Sequence, residues 1–251
     1  MTQGSKNRRS TLDDAEARRF AETAALWWDE EGPYRPLHKL NPARLSYIRG
    51  VLVRRFGRDA GPLRPLAGLE VLDIGCGGGL IAEPLARMGA RVTGLDVSDD
   101  VVGVASAHAR DAGLAIDYRK GTAEELAAAG ETFDAVLALE VAEHVADVPA
   151  FLAACRRMTK TQGAFVFSTL NRTARSFALG IVAAEYLLRW VPRGTHDWRR
   201  FLKPEELSAE LRAAGLRPRE IAGLGYDPLG DRWRISRDTS VNYIGWAAPA
   251  E

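Results

Sequence analysis

The chain of 251 residues reads as an α/β protein on a doubly wound, mostly parallel sheet of seven strands. Three observations predict it. Val71–Leu72–Asp73–Ile74 is a short apolar run that carries a carboxylate and then loses its side chains in Gly75–Cys76–Gly77–Gly78–Gly79. Strand-like and helix-length segments alternate after that loop. A second apolar strand, Ala90–Asp96, closes on another acid. Alternation of this kind builds a parallel sheet whose ligands sit at the carboxyl ends of its strands.

The elements follow in order. Met1–Ser10 is polar and basic without an apolar stretch, so residues 1–12 read as a flexible tail. Asp13 or Asp14 can cap a helix running to about Asp29, with Phe20, Ala24, Trp27 and Trp28 at helical spacing. Two adjacent tryptophans need cover, either as packing or as a flat wall for an aromatic substrate. Asn41 as N-cap and Pro42 at the first helical position start a helix from Ala43 to about Phe56. That places Arg44 in a first turn, where the helix dipole disfavours a cation and an anion would compensate. Gly57–Leu66 is a Gly/Pro-rich linker. Residues 13–66 are thus expected to form helices covering the site, and 67–251 the ligand-binding domain.

Within that domain, Leu80–Met88, Val101–Ala112, Ala123–Ala129 and Val148–Thr159 read as helices. Thr132–Leu139 and Gly163–Thr169 read as buried parallel strands. A helical insert, 172–197, follows the fifth strand. Its core, Phe177–Leu188, is apolar and flanked by Arg172, Arg175, Arg189 and Arg193. It is too short to span a bilayer, which needs about 20 apolar residues. It can lie in a membrane interface with its arginines on phosphates, or pack over the site as a lid. Lys203–Ala214 is the last helix. Arg219–Ile221 and Val241–Trp246 are expected as an antiparallel pair at the sheet edge, with Asp227–Arg237 a long loop or hairpin.

Composition narrows the function classes. Apolar residues make up 46%, ample for a core, and the formal charge of +1 gives no field to attract nucleic acid. Cys76 and Cys155 make no disulfide framework, so a cytoplasmic, reducing location is expected. Cys76 reads as a small residue beside a ligand rather than a nucleophile.

Two ligands compete for the glycine loop. Gly77-x-Gly79-x-x-Ala82 with Asp96 downstream formally fits a dinucleotide. Asp73-x-Gly75-x-Gly77-x-Gly79 instead looks like the first motif of methyltransferases that use S-adenosylmethionine (SAM). A carboxylate two residues before the first glycine would repel a pyrophosphate. SAM has no phosphate and carries a sulfonium and an ammonium, which an acidic rim suits. Asp96 at the next strand tip can then accept both ribose hydroxyl protons.

Just past the fourth strand lie Glu140, Glu143 and His144. If the stretch opens a helical turn, Glu140 shares a face with Glu143 or His144. Such a set can hold a hard divalent ion. Alternatively His144 acts as general base with a glutamate fixing its tautomer. A charged helix start is the structural alternative. The sulfonium is already activated, so an O-methyltransferase must align the acceptor and remove a proton. Catalytic roles for His144 and Glu140 fit that need on a hydroxylated ring.

From about Phe20 to Trp246 the chain resembles the bacterial ubiquinone-biosynthesis O-methyltransferases. The resemblance rests on Trp27–Trp28–Asp29, Pro36–Leu37–His38, Asn41–Pro42–Ala43–Arg44–Leu45, the glycine loop and Glu140–Val141–Ala142–Glu143–His144–Val145. It also rests on Ser168–Thr169–Leu170–Asn171–Arg172, Gly194–Thr195–His196–Asp197 and Val241–Asn242–Tyr243. It implies a Rossmann-like fold and O-methylation of polyprenylated catechol and hydroquinol intermediates. It implies SAM contacts at Arg44, Gly75, Gly77, Asp96 and Leu139, and magnesium (Mg2+) at Glu140, Glu143 and His144, as in mitochondrial relatives. It implies a peripheral location at the inner membrane face, with anionic lipid at 176–193, and a place in a ubiquinone-biosynthesis complex. Three readings compete with it: a SAM-dependent enzyme for another hydrophobic small molecule, a lipid-binding module without chemistry, and an NAD-dependent oxidoreductase.

Overall fold

A computed structural model describes residues 24–177, 198–227 and 229–250. Ala24–Leu26 form a single 3-10 turn. The elements that follow are α1 (Arg35–Arg55), β1 (Glu70–Ile74), α2 (Ala82–Arg87), β2 (Arg91–Asp96), α3 (Asp99–Asp111), β3 (Asp117–Lys120), α4 (Ala123–Ala128) and β4 (Phe133–Leu139). Then come α5 (Val148–Met158), β5 (Thr159–Leu170), the single turn α6 (Ala174–Ser176), α7 (Pro204–Ala213), β6 (Leu216–Asp227), β7 (Arg232–Ser236) and β8 (Asn242–Pro249).

The strands form one eight-stranded sheet in the order β3-β2-β1-β4-β5-β8-β6-β7. The first five are mutually parallel, while β8 runs antiparallel between β5 and β6. Starting at β1, the chain winds outward to β3 and then crosses to β4, which reverses the winding beside β1. The ligand crevice of a doubly wound sheet opens at that reversal.

The expected seven strands become eight because Asp227–Arg237 is a hairpin whose second arm, β7, adds an edge. The expected terminal pair does exist, but β8 is an interior strand and β7 takes the edge. Alternating arginines, Arg232 and Arg234, stud that edge and discourage pairing with another chain.

Two apolar layers sandwich the sheet. One joins Leu72, Val136 and Phe165 to α4, α5 and α7 through Leu126, Phe151, Leu152 and Leu211. The other joins Val71, Leu137, Val166 and Ile244 to α1 and α2 through Ile48, Val51, Leu52 and Leu85. Neighbouring residues on a strand serve opposite layers, as the pleat requires.

Two helix expectations are corrected. Asn41 caps nothing: α1 begins at Arg35 with Pro36 in its first turn, and Pro42 lies inside it. Pro36 sets the helical φ early, and Leu40, Asn41 and Ala43 bury against the sheet, so packing carries the helix through the exposed Pro42. Arg44 therefore sits in mid-helix rather than at a dipole end. The helix expected up to Asp29 is, in its described part, only the 3-10 turn, after which Asp29 accepts backbone N–H groups in a turn. The rest of it, the tail and most of the insert lie outside the described residues.

Candidate active site

The glycine loop leaves β1 and turns into α2. Gly75 and Gly77 have φ of 67° and 53°, the left-handed region. A Cβ at Gly75 would lie 2.7 Å from Val141 Cγ2, and one at Gly77 2.5 Å from the Trp27 ring. Space and conformation both demand glycine at these two positions. Asp96, at the tip of β2, accepts the Gly77 N–H and the Ser98 N–H, each at 3.1 Å. One carboxylate therefore ties the loop to the next strand while each oxygen keeps a lone pair.

Trp27 and Trp28 lie over this loop. Trp27 stacks on Tyr34 at 3.8 Å, and Trp28 stacks on His108 at 3.5 Å. Trp28 also donates its indole N–H to the Gly78 carbonyl at 2.9 Å. Both rings are thus packed against protein. Sequence reasoning missed Tyr118, on β3, whose hydroxyl sits beside Gly79 and whose ring lies against Gly94. The signal was faint, because Asp117–Lys120 is a polar edge strand with no apolar alternation.

Asp73 is buried, and among the described residues its Oδ2 has no hydrogen-bond partner. Burial first, then the charge of Asp96, push its carboxyl up to about 7, with Arg44 pulling the other way. Arg44 is buried as well. It places Nη2 on Glu140 Oε1 at 2.6 Å, and its Nε has no hydrogen-bond partner among the described residues. The anion that a buried arginine needs is therefore Glu140. Ser168 Oγ donates to the same carboxylate oxygen at 2.8 Å.

Among the described residues Glu140 is one of two non-glycine residues with positive φ, at 55°. Left-handed backbone at a non-glycine residue is strained and persists where surrounding contacts over-determine it. Here Arg44, Ser168 and the Glu140 N–H to the Ser168 carbonyl do so. The stretch after β4 is a turn, closed by His144 N–H to the Val141 carbonyl, and not the start of a helix. Glu143 turns to Thr169, which donates to its Oε2 at 2.8 Å, and its Oε1 has no hydrogen-bond partner among the described residues. Consecutive hydroxyls of β5 thus hold the two glutamates.

The two carboxyls titrate apart. Burial would raise Glu140, but the Arg44 charge and hydrogen bonds from its neighbours outweigh it and hold it below its ordinary range. Burial and the Glu140 charge push Glu143 up to about 8, with His144 acting the other way. Glu143 thus keeps its proton in the folded state between about 4.5 and about 8, whereas the unfolded chain has released it. The folded state binds more protons in that window, so this group's contribution to stability falls as pH rises through it. Thermal unfolding from pH 5 to 8 is expected to show the fall, and Glu143→Gln, which mimics the protonated form, to flatten it. An unchanged slope in the variant contradicts the assignment.

The structure tests the two implied groups differently. An acidic oxygen without a partner, a donor without a partner and a side-chain-free loop converge at the carboxyl end of β1, which fits SAM. Leu139, the last residue of β4, is half-buried at the same end. For magnesium, among the described residues no group of three His, Cys, Asp or Glu side chains is arranged to hold a metal ion. Glu140 is committed to Arg44 and Ser168, and Glu143 to Thr169, so this arrangement does not fit the expected ion.

A family model described as a methyltransferase domain matches residues 72–167, from β1 to β5. The ubiquinone biosynthesis O-methyltransferase of Azorhizobium caulinodans is 56% identical over 241 residues, 96% of this chain and 95% of its own. The chain belongs to the ubiquinone biosynthesis O-methyltransferase family. That of Parvibaculum lavamentivorans is 52% identical, covering 98% and 97% of the two chains. Solved structures agree on the fold. A SAM-dependent methyltransferase from Clostridium acetobutylicum matches with a TM-score of 0.62 at 14% identity, covering 93% of this chain and 99% of its own. A magnesium protoporphyrin IX methyltransferase from Synechocystis, solved with bound S-adenosylhomocysteine, matches with 0.60 at 18% identity, covering 94% of each chain. This family member is a SAM-dependent O-methyltransferase. The dinucleotide and binding-module readings fall with that membership.

Proposed function

We propose that the enzyme transfers the SAM methyl group to a ring hydroxyl of a polyprenylated catechol or hydroquinol in ubiquinone biosynthesis. The observation that carries this reading is the carboxyl pair beside the glycine loop, with Glu140 held left-handed by Arg44 and Ser168 and Glu143 buried on Thr169. When bound, SAM supplies an electrophilic methyl on a sulfonium. Gly75 and Gly77 let the backbone approach it closely. Asp96 takes the ribose hydroxyls, the Leu139 backbone meets the adenine, and the unfilled Arg44 Nε is a donor for the SAM carboxylate. His144 accepts the phenol proton, and Glu140, paired with Arg44, keeps a negative charge that suits a bound sulfonium. A phenol near pKa 10 needs such an acceptor at neutral pH.

With a panel of 3-prenylcatechol, a prenylated hydroquinol and unrelated apolar acceptors, S-adenosylhomocysteine should accumulate with the first two. Turnover confined to the unrelated acceptors overturns the substrate class and favours the second reading, another hydrophobic small molecule.

Among the described residues no helix is long and apolar enough to cross a membrane. The expected lipid contact, 176–193, lies almost wholly outside the described residues. At its entry Phe177 is 46% exposed, and Arg175 is held by Asp238 and Ser240. We infer that this entry leads onto an anionic bilayer surface, where a prenyl tail resides. Sedimentation with phosphatidylglycerol vesicles should fall as salt rises. No sedimentation at any salt contradicts it.

A further inference from the structure

The first residue of β8, Asn242, has no place in the chemistry above. It is 5% exposed, and among the described residues its Oδ1 has no hydrogen-bond partner. A buried amide oxygen without a partner is costly, because it forfeits its hydration without compensation. Such groups in native proteins call for an explanation, and a ligand is one.

Strand register fixes where the amide sits. Ser168 pairs with Ile244, and Leu170 pairs with Asn242, across the antiparallel β5–β8 ladder. Directly opposed residues share a face, and so do residues two apart on a strand. Asn242 therefore lies on the face of Ser168, the residue whose hydroxyl holds Glu140 at 2.8 Å. It is one step nearer the carboxyl ends of the parallel strands, where ligands bind. Val166 and Ile244 put α1 over this same face, and Arg44 of α1 reaches Glu140 there. The amide with its unfilled oxygen thus adjoins the proposed site for the reacting hydroxyl.

An amide offers one acceptor and two donors on adjacent atoms. Its chemical complement is a pair of neighbouring oxygens, of which at least one carries a hydrogen. We propose that Asn242 reads the vicinal oxygen pair of the substrate ring: Oδ1 accepts the hydroxyl hydrogen of one oxygen and Nδ2 donates to its neighbour. Asn242 is then a specificity residue that selects ortho-dihydroxy rings over simple phenols. This rests on the proposed phenolic substrate and deepens it.

The test uses full-length enzyme saturated with S-adenosylhomocysteine. Calorimetry measures binding of 3-prenylcatechol and of 2-prenylphenol, which lacks the second oxygen. Wild type should prefer the catechol by about 10- to 100-fold, the range for one satisfied buried polar group. Asn242→Ala, and Asn242→Leu, which fills the space without polar atoms, should bind both rings alike and keep wild-type affinity for S-adenosylhomocysteine. Removing an amide whose buried oxygen has no partner should also leave the unfolding midpoint unchanged or raise it, whereas a structural asparagine would lower it. A wild type indifferent to the second oxygen overturns the assignment. So does a variant that keeps the preference, or one that loses midpoint and cofactor affinity together. Turnover by wild type is scored separately. Selective binding without methyl transfer overturns the proposed reaction and supports the Asn242 assignment, and turnover without selectivity does the reverse.

Discussion

Glu140→Ala should lower the unfolding midpoint by roughly 10 °C. The cause is the arginine it leaves behind. Arg44 has a side chain only 4% exposed, and its Nη2 rests on Glu140 at 2.6 Å. Breaking a buried ion pair strands one charge and costs about 3–5 kcal/mol. A protein of this size loses about 2–4 °C per kcal/mol. Arg44→Ala should cost less, because the Glu140 side chain is 22% exposed and water can take over part of the hydration. The double variant Arg44→Met with Glu140→Leu should recover most of the lost stability, since a packed apolar pair often matches or exceeds a buried ionic one. All three should be inactive if Glu140 belongs to the site. Differential scanning calorimetry on the four proteins checks the order. A double variant no more stable than Glu140→Ala contradicts the stranded-charge account.

Asp96→Ala should weaken S-adenosylhomocysteine binding by at least about 100-fold. Two charge-assisted hydrogen bonds to ribose hydroxyls, at about 1.5–3 kcal/mol each, set that scale. A second effect adds to it. Asp96 also receives the Gly77 and Ser98 N–H groups, so its loss frees the loop that seats the cofactor. Asp96→Asn keeps one acceptor oxygen and should fall between wild type and alanine. Titration calorimetry with S-adenosylhomocysteine reads both variants, and an affinity within threefold of wild type for alanine rejects the ribose assignment.

Much of the parallel sheet was legible because its strands are buried on both faces. Val71–Ile74, Phe133–Leu139 and Ala164–Thr169 carry little that could be mistaken for surface. Edge strands are different. β3 reads Asp-Tyr-Arg-Lys, and β7 reads Arg-Trp-Arg-Ile-Ser, so neither offers an apolar run. Local signals also misled where packing outweighed them. Asn41–Pro42 is a good helix start in isolation, yet the burial of Leu40, Asn41 and Ala43 extends α1 through it.

In the candidate site, residue types were legible and partnerships were not. Asp73, Asp96, Glu140, Glu143 and Arg44 all gather at one end of the sheet. That Arg44 lies 96 residues before the glutamate it holds could not be read from spacing. Nor could the division of the carboxyl pair, with Ser168 on one glutamate and Thr169 on the other. Those partners are set by β5, whose consecutive side chains leave on opposite faces.

The most direct measurement follows the methyl group itself. SAM labelled with carbon-13 on its methyl is mixed with excess enzyme and 3-prenylcatechol, and carbon NMR is recorded over a single turnover. The sulfonium methyl signal should decay as one aryl methyl ether signal grows at the same rate, with no ring-carbon methyl. A sulfonium signal that persists with prenylcatechol bound, or a methyl that arrives on carbon, contradicts the account.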